Sequence, residues 1–166
     1  MARDNKNFKV KKEKPEFDQK LLDLARVTRV VKGGRRFRFR ATLVIGNRKG
    51  KVGVGVGKGT DVSDAIRKAF DDAKKNLITV KMVKNTIAHE INYKSRSAKI
   101  ILKPANEGKG IIAGGAVRVV VDYAGIKDIV SKSLGTSNKL SVARAAVEAL
   151  GSLNQARTRK ERITVE

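Results

Sequence analysis

The sequence has no cysteine and no tryptophan, and aromatic residues make up only 4% of its 166 residues. Without cysteine the chain can form neither disulfide bonds nor thiolate metal sites. Because rings are scarce, we expect a core built mainly of valine, isoleucine, leucine and alanine. A chain of 166 residues allows one or two small domains with a modest core.

Long apolar segments are missing as well. The N-terminus carries no apolar stretch that resembles a signal peptide. The longest apolar run, IIAGGAV at residues 111–117, contains two glycines and is too short to span a membrane. Since the basic residues cluster in a glycine-rich region and not on an amphipathic helix, binding to a membrane surface is not expected either.

The residue types that carry catalysis do not form a recognisable arrangement. The single histidine, His89, has no second histidine or cysteine with which to hold a metal, so we expect a hydrogen-bonded structural residue. Asp71 and Asp72 are neighbours on a predicted helix and point in different directions, which indicates a solvated surface. No Ser-His-Asp arrangement can be proposed. We predict no catalytic residues, no metal ligands and no cofactor.

Acidic residues are absent from one long stretch of the chain, residues 24–60. This segment contains eleven Lys or Arg, half of the formal net charge of +22, and eight of the fifteen glycines. Because like charges repel within a small domain, such a segment favours a polyanionic partner. Nucleic acid is the polyanion that we expect.

The basic segment shows the alternation of a β-strand. Between residues 36 and 41 arginines alternate with Phe37, Phe39 and an alanine, which places arginines on one face and rings on the other. The strand lacks the spacing of the aromatic RNA-recognition motif. No Gly-x-x-Gly between two helices indicates a KH domain. We therefore interpret the ring-bearing face as core and not as a platform for base stacking.

The first module is predicted to contain three strands and a helix. The strands cover residues 26–32, 36–45 and 51–57, with a turn at Gly33-Gly34 and a hairpin loop at residues 46–50. A helix starts after Thr60 or Asp61 as its N-cap. Its apolar stripe, which includes a phenylalanine expected to face the sheet, consists of Val62, Ile66, Ala69, Phe70, Ala73 and Leu77.

The third strand alternates valine with Gly53, Gly55 and Gly57. Its composition is similar to that of a phosphate-binding loop. A P-loop, however, needs a glycine at position 52, where this chain has Val52, and a dinucleotide-binding loop needs a glycine at position 60, where it has Thr60. A bare strand face leaves two alternatives open, a packed protein neighbour or the close approach of a nucleic-acid backbone.

The second module mixes strands and helices. We predict a strand or turn over residues 86–93, strands over 99–102 and 126–134, and a loop over 105–110. Residues 116–124 stay ambiguous, since their valines favour a strand while their apolar positions also form a helical stripe. A final amphipathic helix is ended by Gly151 and indicated by Leu140, Ala143, Ala146, Val147 and Leu150.

Two long motifs resemble the family of bacterial ribosomal small-subunit protein five. The first comprises VVKGGRR at residues 30–36, GNRKGKVGVGVGKG at 46–59 and AIRKA at 65–69. The second comprises LKPA at residues 102–105 and EGKGIIAGGAVR at 107–118. Both occur in the order and spacing of that family, and the resemblance covers about residues 21–153.

The resemblance implies an α+β fold with two domains. Residues 21–84 are expected to form a domain similar to double-stranded-RNA-binding domains, a three-stranded antiparallel sheet with a helix. Residues 85–153 are expected to form a small two-layer α/β domain, in which 114–124 is a helix and not a strand. Tails would cover residues 1–20, flexible in the free protein, and 154–166. The lysines of the first helix lie at its end, so the duplex-reading mode of those RNA-binding domains is not carried over.

The resemblance also implies a function. It indicates a non-catalytic cytoplasmic constituent of the small ribosomal subunit that binds small-subunit ribosomal RNA and supports assembly and translational accuracy. Its place would be near the neck, on the side where the messenger enters, with small-subunit proteins four and eight as neighbours. An RNA-acting enzyme or a free RNA chaperone is the alternative, but an enzyme needs a constellation of reactive groups, and a chaperone would not need the second motif.

The expected RNA-binding residues are basic or glycine residues of the first module: Arg26, Arg29, Lys32, Gly33, Gly34, Arg35, Arg36, Arg38, Arg40, Arg48, Lys49, Lys51 and Lys58. Cations position phosphates, and glycines let the backbone of a loop approach RNA closely. In the second module we expect contacts with neighbouring proteins from Glu107, Lys109 and Arg118.

Overall fold

The computed structural model describes residues 16–153, and its first module is an antiparallel sheet with one helix. The strands pair in chain order, so that the second and third lie in the middle of the sheet. The elements are β1 (Asp18–Val31), β2 (Gly34–Gly46), β3 (Lys51–Gly59), α1 (Val62–Lys75) and β4 (Ile78–Thr79).

A small hairpin leads into the second module, where two helices lie on a second four-stranded sheet. The hairpin consists of β5 (Met82–Val83) and β6 (Thr86–Ile87). The sheet has the order β7-β8-β10-β9, with β9 parallel to β10. Its elements are β7 (Ile91–Ser95), β8 (Ala98–Pro104), β9 (Ile111–Ile112), α2 (Gly115–Ala124), β10 (Ile129–Leu134) and α3 (Lys139–Gly151). The expected α+β fold is therefore confirmed.

The ambiguous valine-rich segment is the helix α2. Val117, Val120, Val121 and Ala124 are all fully buried, and their spacing of three or four residues is that of one helix face. Gly125 ends the helix with a φ of 94°, which suits a left-handed C-cap. Burial of this stripe outweighs the preference of valine for strands, because that preference depends on context.

The tightest packing in the first module joins β3 to α1. Ala65 and Ala69 are fully buried on the helix. A Cβ added at Gly55 would overlap the carbonyl oxygen of Ala69, and one added at Gly57 would overlap that of Ala65. Of the two alternatives left open for the bare glycine face, the structure thus shows the packed neighbour, and α1 covers the face that RNA would have needed.

The small residues of this contact explain where Phe70 lies. The buried residues of α1 are three alanines, whereas Phe70 is half-buried beside the same cluster. The ammonium group of Lys74 lies 4.8 Å from the centroid of the Phe70 ring. Phe70 packs as expected against the cluster between α1 and the sheet, but it stays half-buried, since a helix this close to a glycine strand leaves little depth for a ring.

The first strand is longer than predicted. β1 begins at Asp18 and not at Arg26, so residues 18–20 pair with β2 and do not belong to a tail. A bulge at Leu22 breaks the alternation, and charged neighbours hide the pattern further. β4 was not predicted because two residues carry too little periodicity. Of the remaining predicted tail residues, Glu16 and Phe17 directly precede β1, with Phe17 buried in the cluster under α1, and residues 1–15 and 154–166 lie outside the described residues.

The two modules share one core. Val44 and Val52, on the sheet face opposite α1, belong to the same buried cluster as residues of α2 and α3. The loop after β2 also contacts the end of α2, since the amide of Arg48 donates to the carbonyl of Tyr123 at 3.0 Å. The expected domain boundary between residues 84 and 85 falls in the turn of the β5–β6 hairpin.

The glycine–alanine contact can be tested with a single methyl group. Because the new Cβ has no free space, we expect Gly55→Ala to lower the free energy of unfolding by about 3 kcal/mol. Gly33→Ala is the matched control, since a Cβ there meets nothing within 4 Å. Thermal unfolding of both variants checks this, and equal melting temperatures would contradict the close packing.

Candidate nucleic-acid interface

β1 and β2 continue past β3 as a two-stranded hairpin, named here the basic arm (residues 26–38). β3 pairs with β2 only from residue 39 onward, so the arm has no third strand beside it. The paired residues 27–31 correspond to a length of about 17 Å. A two-residue turn, Lys32-Gly33, closes the arm, and its basic side chains are all exposed: Arg26, Arg29, Lys32, Arg35, Arg36 and Arg38.

One face of the arm brings arginines directly together. Arg29 lies opposite Arg36 in the antiparallel ladder, and side chains that oppose one another share a face. Arg38 and Arg40 continue this face along β2, and Arg40 lies opposite Lys58 of β3. Like charges in opposing positions destabilise a sheet. The sequence from residue 24 to 60 offers no carboxylate to offset them.

The opposite face of the arm carries the rings. Phe39 is half-buried against the cluster under α1, as the core interpretation requires. Phe37 is 46% exposed, and the guanidinium carbon of Arg26 lies 3.6 Å from the centroid of its ring. The core interpretation is wrong for Phe37, because this residue lies beyond the last residue of β2 that pairs with β3. The Arg26–Phe37 contact was missed, although the strand register makes the two diagonal neighbours.

The expected RNA-binding residues do not form one site. Arg48 and Lys49 lie in the loop at the other end of β2, and Lys51 starts β3 beside that loop. Along the strand this end is about 34 Å from Arg36. Arg48 also forms an ion pair with Asp18, with Nε and Oδ2 separated by 3.3 Å. The arm, together with Arg40 and Lys58, is therefore the larger of two separate basic groups.

The residues expected to contact proteins lie in the second module, and all three are exposed. Glu107 and Lys109 belong to the loop between β8 and β9, and Arg118 lies in the first half of α2. A hydrogen bond fixes the end of the loop between β8 and β9: the buried carboxylate of Asp128 accepts it from the amide of Gly110, at 2.8 Å.

Groups that could perform acid–base or metal chemistry are not assembled in the part of the chain that the structure describes. Within residues 16–153 no cluster of His, Asp or Glu has the composition of a metal site. His89 is exposed and its ring makes no hydrogen bond to another described residue, so the expected structural role is wrong. The hydrogen bond from Lys68, joined by one from Arg67, lowers the pKa of Asp64 at the start of α1 and keeps that carboxyl ionised. No described helix has the length and apolarity needed to cross a bilayer.

Comparison with protein families assigns each of the two modules to a known domain family. The family described as ribosomal protein S5, N-terminal domain, matches residues 17–81, and ribosomal protein S5, C-terminal domain, matches residues 93–162. The chain belongs to the ribosomal protein S5 family. The resemblance found in the sequence is thereby confirmed, and the basic arm lies within the N-terminal S5 domain.

Individual relatives agree with this assignment. The small ribosomal subunit protein uS5 of Campylobacter jejuni strain 81-176 is 57% identical over 135 residues, which cover 81% of this chain and 92% of the relative. The uS5 proteins of strains 81116 and RM1221 show the same identity and coverage. S5 family members are ribosomal proteins, a structural and not an enzymatic class.

The opposing cations predict how the free protein responds to salt. Screening weakens the repulsion between Arg29 and Arg36, so we expect the melting temperature to rise by about 2 °C between about 50 and 300 mM NaCl. Arg36→Gln should raise the melting temperature at low salt and reduce this rise. Lys75→Gln, at the end of α1, is the control and should respond like the wild type. A wild-type melting temperature that falls with salt would contradict the repulsion.

Proposed function

We propose that this protein is a non-catalytic, cytoplasmic component of the small ribosomal subunit, and that its basic arm binds small-subunit ribosomal RNA. Membership of the S5 family supports the ribosomal role. The observation that carries the RNA contact is the pair of Arg29 and Arg36 on an exposed hairpin, for which no carboxylate among the described residues lies within ion-pair distance. A phosphate backbone beside this face supplies the missing negative charge.

Arginine suits this contact better than lysine would. A guanidinium group donates two parallel hydrogen bonds to a phosphate, so it fixes orientation as well as charge. Arg29, Arg36 and Arg38 share one face of the arm and would position the RNA backbone without reading its sequence. Arg40 and Lys58 would extend the contact onto the sheet.

The tip of the arm supports a close approach to RNA. A Cβ at Gly33 or Gly34 meets no atom within 4 Å, so the protein's own packing does not require glycine there. At Gly34 the φ of 134° favours glycine through the backbone. Gly33 has no such constraint, and contact with RNA at the tip would account for it.

The finer placement extends the same proposal. The protein would lie near the neck of the subunit, on the side where the messenger enters, and support assembly and translational accuracy. Glu107, Lys109 and Arg118 would contact small-subunit proteins four and eight, and the hydrogen bond of Asp128 to the loop that carries Glu107 and Lys109 favours a fixed contact surface. Arg48, Lys49 and Lys51 would form a second, smaller RNA contact. We keep residues 21–84 and 85–153 as the two domains of this proposal.

Binding to small-subunit ribosomal RNA at several salt concentrations tests the arm. If roughly six phosphates are contacted, the log–log slope of affinity against salt should be about −5 or steeper. The variant Arg29→Gln, Arg36→Gln, Arg38→Gln should make this slope shallower by about 3.

The matched control removes the same number of positive charges as the arm variant, but from the exposed side of α1. It carries Arg67→Gln, Lys74→Gln and Lys75→Gln. It should retain the wild-type slope. If both variants shift the slope equally, overall charge and not the arm governs binding, and the proposed contact is refuted.

The tip of the arm is tested by Gly33→Val. Since the new side chain enters open space, the melting temperature should stay within about 2 °C of the wild type. Incorporation into small subunits, or the translational accuracy of those subunits, should nevertheless decrease. Folding, incorporation and accuracy that all equal the wild type would show that the tip does not approach RNA.

A further inference from the structure

One face of the basic arm presents an aromatic ring that the described part of the chain leaves 46% exposed, the ring of Phe37. We name this surface the ring face, and its exposed residues are Arg26, Thr28, Val30, Arg35 and Phe37. The RNA contact proposed above uses the opposite face of the arm, on which Arg29 and Arg36 lie. The ring face is therefore left without a role.

The helix that covers this side of the sheet ends its cover just before Phe37. On the same side of β2, Ala41 and Leu43 are buried in the cluster beneath α1, and Phe39 is half-buried beside it. Side chains two residues apart on a strand share a face. Phe37 thus continues the apolar row of the core onto the arm, where β3 no longer pairs with β2.

A guanidinium group lies against the exposed ring. The Cζ atom of Arg26 is 3.6 Å from the centroid of the Phe37 ring, which is a cation–π contact. Among the described cations no other lies over this ring. Within residues 16–153 no carboxylate lies within ion-pair distance of Arg26, so its charge is not offset there. The contact limits the motion of the ring, and a ring already held in place loses less entropy when a ligand binds.

We propose that Phe37 is a stacking platform for an unpaired nucleobase of small-subunit ribosomal RNA, and that Arg26 and Arg35 bind the phosphates beside that base. The proposal rests on the RNA contact of the arm proposed above, and it adds the kind of nucleotide that the arm takes. The base lies against the ring, while the guanidinium groups donate hydrogen bonds to the phosphate oxygens. Because every base has an aromatic face, the platform does not select a sequence.

The ring indicates an unpaired base and not a duplex. Inside a duplex, neighbouring base pairs cover both faces of each base, so a protein ring can stack only on a base that has left the helix. Contacts with the phosphates of a duplex need hydrogen-bond donors and cations, and a phenyl ring supplies neither. Phe37 between Arg26 and Arg35 therefore fits a bulged, looped or extruded nucleotide.

Charge favours RNA over a protein partner for the ring face. Aromatic and arginine side chains are enriched at protein–protein interfaces as well, so residue types alone do not separate the two. Residues 24–60, however, contain eleven Lys or Arg and no carboxylate, and a protein partner would have to be strongly acidic. A nucleotide brings both the flat ring and the negative charge that complement this face.

The first test uses the full chain and removes the ring without changing the charge. Phe37→Leu should weaken binding to small-subunit ribosomal RNA about tenfold, because base stacking is lost. The log–log salt slope should stay at the wild-type value, because no phosphate contact is removed. Phe37→Tyr keeps a ring and should bind like the wild type. The melting temperature of Phe37→Leu should fall by no more than about 4 °C, since only an exposed cation–π contact is lost.

The second test uses the absence of tryptophan from the chain. Phe37→Trp places a single indole on the platform, and we expect its fluorescence to be quenched when small-subunit ribosomal RNA is added, because a base stacks on it. Phe70→Trp is the matched control, since Phe70 is also a partly exposed ring beside a cation but lies on α1, outside the arm. Its emission should not change. Equal quenching in both variants would contradict stacking at the arm.

The outcomes separate the stacking platform from the proposed function. Wild-type affinity of Phe37→Leu, with a reduced salt slope of the arm variant described above, overturns the platform and leaves the proposed function intact. Wild-type affinity combined with poor incorporation into small subunits also overturns it, since a protein would then cover the ring. A wild type that does not bind the RNA refutes the proposed function instead. Should Phe37→Leu unfold, Phe37→Trp decides: quenched emission supports the platform, and unchanged emission overturns it.

Discussion

The contact between the glycine face of β3 and the alanine stripe of α1 is the constraint on which the rest of the structure depends. Because the backbones approach so closely, Gly55 and Gly57 cannot carry even a methyl group. The other face of the same sheet packs through Val44 and Val52 against the helices of the second module. With both faces covered, the exposed basic side chains of the sheet lie near the ends of its strands, and most of them lie where β1 and β2 extend beyond β3.

Several positive charges of this protein oppose one another in positions that lower the stability of the folded chain. Arg29 opposes Arg36 and Arg40 opposes Lys58, each across neighbouring strands. A chain selected for stability alone would place carboxylates at some of these positions. Local conflicts of this kind are expected at functional surfaces, where a partner supplies the compensation. In this S5 protein, the proposed contact with ribosomal RNA would supply such compensation.

Part of the candidate site could be predicted from the sequence. The alternation of Arg36, Arg38 and Arg40 with rings was enough to assign a strand with one basic face. The sequence does not predict that this strand extends as a free arm, because the extension depends on where β3 stops pairing with β2. For the same reason Phe37 was assigned to the core. The sequence grouped Arg48 with the arm since the two are near in the chain, yet the length of β2 separates them.

Composition and periodicity by themselves determined the central strands, α1 and α3, and the excess of positive charge, while the α+β class with two domains was implied by the resemblance to the S5 family. These properties follow from local patterns, which a single sequence displays. Tertiary structure alone decided that α1 and not RNA covers the glycine face, that Phe70 stays half-buried, and which cations oppose one another. Each of these depends on the register and proximity of segments distant in the chain, and such pairings leave no trace in local periodicity.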